Sequence, residues 1–193
     1  MLRNGVLLLF TILPISGYCF DLSNVTVEPG LRAGFVSYQH SDNATRSQFA
    51  VALGVGNYLP ISRQAKVGLE STFTHSTHDG QNGTLAETAT FFDFALVGLK
   101  SFPISRQLKI WVGGGLSAGY GRYTNRFTLT PDGYLDQAYE DSSWSVDSGF
   151  RIQSDIQYSD SQNLPFDFGI SSVYRQSFGE GQKSFSVGLK VKL

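Results

Sequence analysis

The sequence is short of everything that would make it a helical or a disulfide-stapled protein. It has a single cysteine, Cys19, so no intramolecular disulfide can form and a disulfide scaffold is excluded. It has one methionine, and beyond residue 20 its Ala, Leu, Glu and Lys never cluster with a 3.6-residue period, which argues against amphipathic helices. No segment approaches the roughly 20 consecutive apolar residues that a membrane helix needs. Charge of one sign is missing too. Lys and Arg total 15 against 16 Asp and Glu, no basic patch dominates, and a nucleic-acid partner is not expected. Phosphate loops, nucleotide motifs, Cys–His clusters and heptads are absent, so neither a cofactor nor a metal is expected.

The first twenty residues have the order of a secretory signal peptide. Arg3 supplies the positive start, Val6 to Leu13 form a short apolar run, and Pro14 and Gly17 end it. Residues 1–20 are therefore read as a signal removed on export, and residues 21–193 as one domain. Lipidation at Cys19 is the alternative, although the bulky Tyr18 stands where a lipoprotein signal has a small residue.

What is present is glycine (21 residues), aromatic residues (13%) and alternation. In Ser143 to Tyr158, Trp144, Val146, Phe150, Ile152, Ile156 and Tyr158 share one parity, with Ser148 and Ser154 as exceptions; Ser145, Asp147, Gly149, Arg151, Gln153, Asp155 and Gln157 share the other. A strand sends the two sets to opposite faces. The same pattern recurs in Gln48 to Leu59, Lys66 to Thr74, Lys109 to Arg122, Phe166 to Tyr174 and Phe185 to Leu193, and less cleanly in Leu31 to His40 and Phe91 to Lys100. This makes about eight strands, each near the length a tilted membrane strand needs.

The connections alternate in length. Leu59-Pro60-Ile61-Ser62-Arg63-Gln64 and Phe102-Pro103-Ile104-Ser105-Arg106-Gln107 are nearly the same hexapeptide and read as two copies of one tight turn; Ser159 to Pro165 is a third short turn. The other connections, His40 to Ser47, His75 to Thr90, Tyr123 to Ser143 and Gln176 to Lys183, are longer and polar. Within the third, Pro131-Asp132-Gly133 predicts a hairpin projecting from the barrel. Short turns on one side and long loops on the other suit an outer-membrane barrel. Aromatics at the strand ends (Tyr58, Phe102, Tyr120, Trp144, Tyr158, Phe166, Tyr174) are read as interfacial girdles. The competing reading is a soluble periplasmic β-sandwich or lipocalin-like ligand binder, in which the apolar parity would point inward.

The chain ends Ser186-Val187-Gly188-Leu189-Lys190-Val191-Lys192-Leu193. This segment resembles the terminal assembly signal of outer-membrane proteins through Gly188, Val191 and Leu193, with Leu193 standing where an aromatic is usual. Together with the strand pattern, the chain is similar to the eight-stranded outer-membrane surface proteins exemplified by the OmpA membrane domain and the opacity proteins. The resemblance implies an all-β, antiparallel up-and-down transmembrane barrel in the cell outer membrane. It also implies outer-membrane lipid and the barrel assembly machinery as partners, and host or other surface ligands beyond them.

On this reading Lys66, Glu70, Asp93, Asp147, Arg151, Asp155, Asp167 and Arg175, with Lys190 and Arg32, face a narrow lumen and form an ion-paired plug. The alternative is a narrow ion path along Asp147, Arg151 and Asp155. Tyr123, Phe127, Tyr134 and Tyr139 in the third loop are the candidate partner contacts. Enzymatic activity is not expected. A lipid A-modifying site would have to use Ser76, His78 and Asp79, and a metal site His75, His78 and Asp79, since His40 is the only other histidine. The function expected is a structural and adhesion-type surface protein.

Overall fold

The computed structural model describes residues 25–39, 45–80, 85–142, 144–159, 165–178 and 182–193. The export segment, Cys19 and His40 lie outside the described residues. The chain forms β1 (Thr26–Gln39), β2 (Thr45–Ser62), β3 (Ala65–His78), β4 (Leu85–Pro103), β5 (Leu108–Leu129), β6 (Leu135–Tyr139), β7 (Ser145–Tyr158), β8 (Asp167–Ser177) and β9 (Gln182–Lys192). All pairings are antiparallel, β4 pairs with β5, and β1 pairs with β9, so the sheet closes on itself. Among the described residues the strands number nine rather than about eight. Eight form the ring, and β6 pairs with β5 alone.

The faces follow the alternation. Leu31, Phe35, Phe49, Leu53, Phe94, Leu96, Ile152, Ile170 and Leu189 point away from the ring, with Leu116 65% exposed, while Arg32, Lys66, Glu70, Asp93, Arg151, Asp155 and Arg175 are buried inside it. A soluble barrel with a greasy interior is thereby excluded, because the charges occupy the place its core would need. In β4, which is apolar on both parities, Asp93 decides the register: Ala95, Val97 and Leu99 are buried with it, and Phe92, Phe94 and Leu96 face out.

Several strands outrun the lengths read from alternation. β4 has 19 residues and β5 22, against 11 each for β8 and β9. Alternation of hydrophobicity stops where lipid stops, but the hydrogen-bond ladder continues as long as its partner does. Thr77, Thr88, Thr90 and Thr124 carry β3, β4 and β5 past the apolar belt, since β-branched polar residues suit a strand in water. Much of the expected loop His75 to Thr90 is therefore strand.

The two similar hexapeptides make the same turn. The Gln64 N–H donates to Ser62 Oγ at 3.2 Å and the Gln107 N–H to Ser105 Oγ at 3.3 Å. The carbonyls of Gln64 and Gln107 then accept from Ser101 N–H and Ser159 N–H, each at 2.8 Å. In the outer hairpin the Gly133 N–H donates to Thr130 O at 2.9 Å, with Pro131 at the second position and Gly133 at φ 82°. This is a type I turn followed by a left-handed glycine. Asn125, at φ 52°, marks the place where β5 shifts register against β4.

A β-branched residue does not tolerate the φ of Gly133. Gly133→Val is expected to release amide-exchange protection in β6 and the last turn of β5, while the barrel keeps its different migration in cold and boiled gels. Loss of the migration difference would show that the hairpin is part of the ring's stability.

Candidate functional site

Two regions gather functional side chains: the lumen and the outer hairpin. The lumen is organised around Glu70 on β3. Its carboxylate is ion-paired with Arg151 on β7, with Lys190 on β9 at 3.0 Å and with Arg32 on β1 at 3.4 Å. It also accepts from Tyr58 Oη and, at 2.8 Å, from Gln153 Nε2. Lys190 reaches Asp155 at 3.1 Å and Glu28 at 3.2 Å, and Glu28 holds Lys66 at 2.6 Å. Lys66 Nζ lies 4.0 Å from the Tyr58 ring centre and 4.7 Å from that of Trp111. Nearer the long loops, Arg175 on β8 joins Asp93 at 2.9 Å and Asp147 at 3.1 Å. Each of these buried charges faces an opposite one, the condition under which charge is tolerated away from water.

Of the residues predicted to face the lumen, Lys66, Glu70, Asp93, Arg151, Asp155 and Arg175 are buried in these clusters. Asp147 and Asp167 sit at the two mouths with side chains 32% and 22% exposed, and Asp167 pairs with Lys192 at 3.5 Å. The sequence reading missed Glu28, because β1 begins earlier than its alternation showed, and Gln153, whose role depends on what surrounds it. It also misplaced Tyr58. Assigned to the interfacial girdle, Tyr58 is fully buried inside the ring. Its parity, shared with Gln48, Gly54 and Gly56, was the available signal. A side-chain carbon at Gly56 or Gly68 would run into the Tyr58 ring, so these glycines make its room. Gly54 does the same for Arg32, and Gly119 for the Asp93–Arg175 pair. Cavities lined by these lumen residues measure about 10, 20 and 30 Å³, space for no more than single waters.

The outer hairpin carries the other group. Tyr134 (74% exposed), Leu135 and Tyr139 stand in solvent, and Phe178 on the neighbouring loop is also exposed. Leu135 and Phe178 were not singled out from sequence. Phe127 is half-buried in the β5–β6 ladder opposite Ala138. Tyr123 turns inward and packs edge-on against Phe91 with ring centres 5.7 Å apart, so its ring belongs to the packed rim.

The loop triad candidates do not converge. Ser76 points into the barrel and donates to Gln48 Oε1 at 3.0 Å. His78 Nδ1 lies 3.1 Å from Leu85 O and 3.2 Å from the Gly80 N–H. His75 faces outward beside Thr90, at 3.5 Å. Among the described residues no cluster of three or more His, Cys, Asp or Glu could hold a metal.

Removing one partner of a buried ion pair leaves the others uncompensated and costs about 3–5 kcal/mol, whereas a partly exposed pair contributes about 0–1 kcal/mol. Glu70→Ala is thus expected to lower barrel stability in urea titrations by several kcal/mol, and Asp167→Ala by less than about 1 kcal/mol. Equal losses would mean that the Glu70 cluster does not organise the lumen.

No protein-family model matches the sequence, and no curated protein matches it. Solved structures do. The chain is similar to Neisserial surface protein A, with a TM-score of 0.56 and 12% identity over 88% of this chain and 96% of that one. It is also similar to the outer membrane protein OprG of Pseudomonas aeruginosa, with a TM-score of 0.50 and 12% identity over 88% of this chain and 95% of that one. At such identities the likeness is one of fold, and the fold is that of a transmembrane outer-membrane β-barrel.

Proposed function

We propose that the protein is an outer-membrane surface protein whose barrel is a closed anchor and whose β5–β6 hairpin is its contact surface. The observation that carries this is the placement of Tyr134, Leu135 and Tyr139, exposed in solvent on a hairpin beyond the lipid-facing belt. Aromatic side chains of this kind supply large contact area at modest entropic cost, and Tyr is common among binding hot spots. A closed lumen is supported by the ion pairs of Glu70, Lys190 and Arg175 across it and by the small size of the cavities between them. Delivery to the membrane by the barrel assembly machinery is supported by Gly188, Val191 and Leu193, which lie on and just beyond the closing strand β9.

We do not assign an enzymatic role. Ser76 is engaged by Gln48, and His78 by the backbone of the β3–β4 connection, so neither is set up as nucleophile or base toward the other. Lipid A extracted from cells expressing Ser76→Ala or His78→Ala is expected to give the same mass spectrum as lipid A from cells expressing the wild type. A product peak lost in either variant would establish the enzyme.

Surface contact is tested with the barrel displayed on a non-adherent bacterial strain and its attachment to epithelial monolayers counted. The double variant Tyr134→Ser, Tyr139→Ser is expected to reduce attachment about tenfold, the effect of losing an aromatic hot spot. Surface level and the cold-versus-boiled migration should stay unchanged. Attachment that survives the substitution would remove the hairpin from the interaction.

A further inference from the structure

On β5 the outward residues run Ile110, Val112, Leu116, Ala118 and Tyr120, and the next outward position is Arg122. From Ile110 to Tyr120 the strand extends about 33 Å, at about 3.3 Å per residue. Tilted by about 40°, it spans about 25 Å of membrane normal, the height of a barrel's apolar band. Tyr120 therefore ends the band on the long-loop side, and Arg122 stands one step beyond it, on the lipid-facing side of the wall.

Arg122 is not ion-paired within the described residues. Its guanidinium lies 5.1 Å from the centre of the Trp144 ring, a cation–π contact. Trp144 stacks on Tyr120, with centres 4.5 Å apart and planes 9° apart, and leans on Phe92 at 6.2 Å. The directly paired neighbour on β4 is Thr90, also outward, and beside it on β3 is His75. The guanidinium is thus held by an aromatic stack rather than by a carboxylate. Its N–H groups meet no acceptor among the described residues, and hydroxyl and imidazole groups flank it. The lumen cations are treated in the opposite way, each matched to a carboxylate. A positive, planar, multiply donating group at this boundary fits an anionic lipid headgroup, and a phosphate is the group that guanidinium donors match best.

We propose that Arg122, seated on Trp144 and flanked by Thr90, binds a phosphate of an outer-leaflet lipid. The acyl chains of that lipid would run down the apolar wall below Tyr120 and Phe92. The site is separate from the hairpin surface and does not depend on it.

The test uses the full-length mature barrel in nanodiscs of phosphatidylcholine containing a small fraction of bis-phosphorylated lipid A, or of the same lipid A fully dephosphorylated. Lipid retained by the barrel after detergent extraction is quantified by mass spectrometry. The wild type is expected to retain the phosphorylated form about tenfold over the dephosphorylated one, the scale of a charge-assisted contact. R122Q, with its cold-versus-boiled shift intact, should bring that ratio close to one. R122K keeps the charge but not the planar stack, should fall between the two, and serves as the readout if R122Q fails to fold. An unchanged ratio in R122Q, or a wild-type ratio near one, overturns the proposal. Displacement of the lipid by millimolar inorganic phosphate would overturn the lipid assignment in favour of a small-anion site.

Discussion

The burial of charge inside a narrow ring is the constraint on which the rest of this structure depends. Eight strands leave an interior that side chains just fill. Water is too scarce there to solvate Glu70, Asp155, Arg151 or Lys190, so each must find its opposite across the lumen. Those opposites come from strands far apart in sequence. Glu70 on β3 meets Arg151 on β7 and Lys190 on β9, and Arg175 on β8 meets Asp93 on β4. The network therefore links the walls of the ring, and it is complete only when β9 has closed against β1.

Packing this network requires space. Gly54, Gly56, Gly68 and Gly119 leave room where Arg32, Tyr58 and the Asp93–Arg175 pair cross the interior. The stripe of glycine and alanine on the inward parity is thus the counterpart of long polar side chains on facing strands. The outer face has the reverse logic. Lipid asks nothing of it but apolarity, so Leu, Phe, Val and Ile there are set by the medium rather than by particular neighbours. On the long-loop side larger polar residues return to the outward face where the belt ends, at Thr90, Arg122 and His75.

Beyond the belt the ladder continues into water, and the hairpin at Pro131 to Gly133 turns β5 back into β6. A hairpin anchored on one edge to β5 holds Tyr139 on β6, and Tyr134 in the turn before it, in fixed directions, at lower entropic cost than a free loop would. The division is spatial: the middle of the ring is filled by its own ion pairs, and the aromatic side chains above it stand in solvent.

Alternation alone determined the β class and which residues share a face, because a period of two is imposed on each strand locally; which of the two faces lines the interior was decided by the closed ring, which buries the charged one. The repeated Pro-Ile-Ser turn and the Pro131-Asp132-Gly133 hairpin were equally local, being written in residues that bond their own neighbours. Tertiary structure decided the rest. The true lengths of β1, β4 and β5 depend on how far their partners extend, which no single strand's pattern contains. Tyr58 reads as an interfacial aromatic until the ring turns it onto Glu70, and Tyr123 reads as a contact residue until Phe91 is found beneath it. Which cation pairs with which carboxylate, and that Arg122 pairs with none of the described carboxylates, follows only from strands brought together by closure. A pattern along one chain segment carries no information about what stands across the barrel.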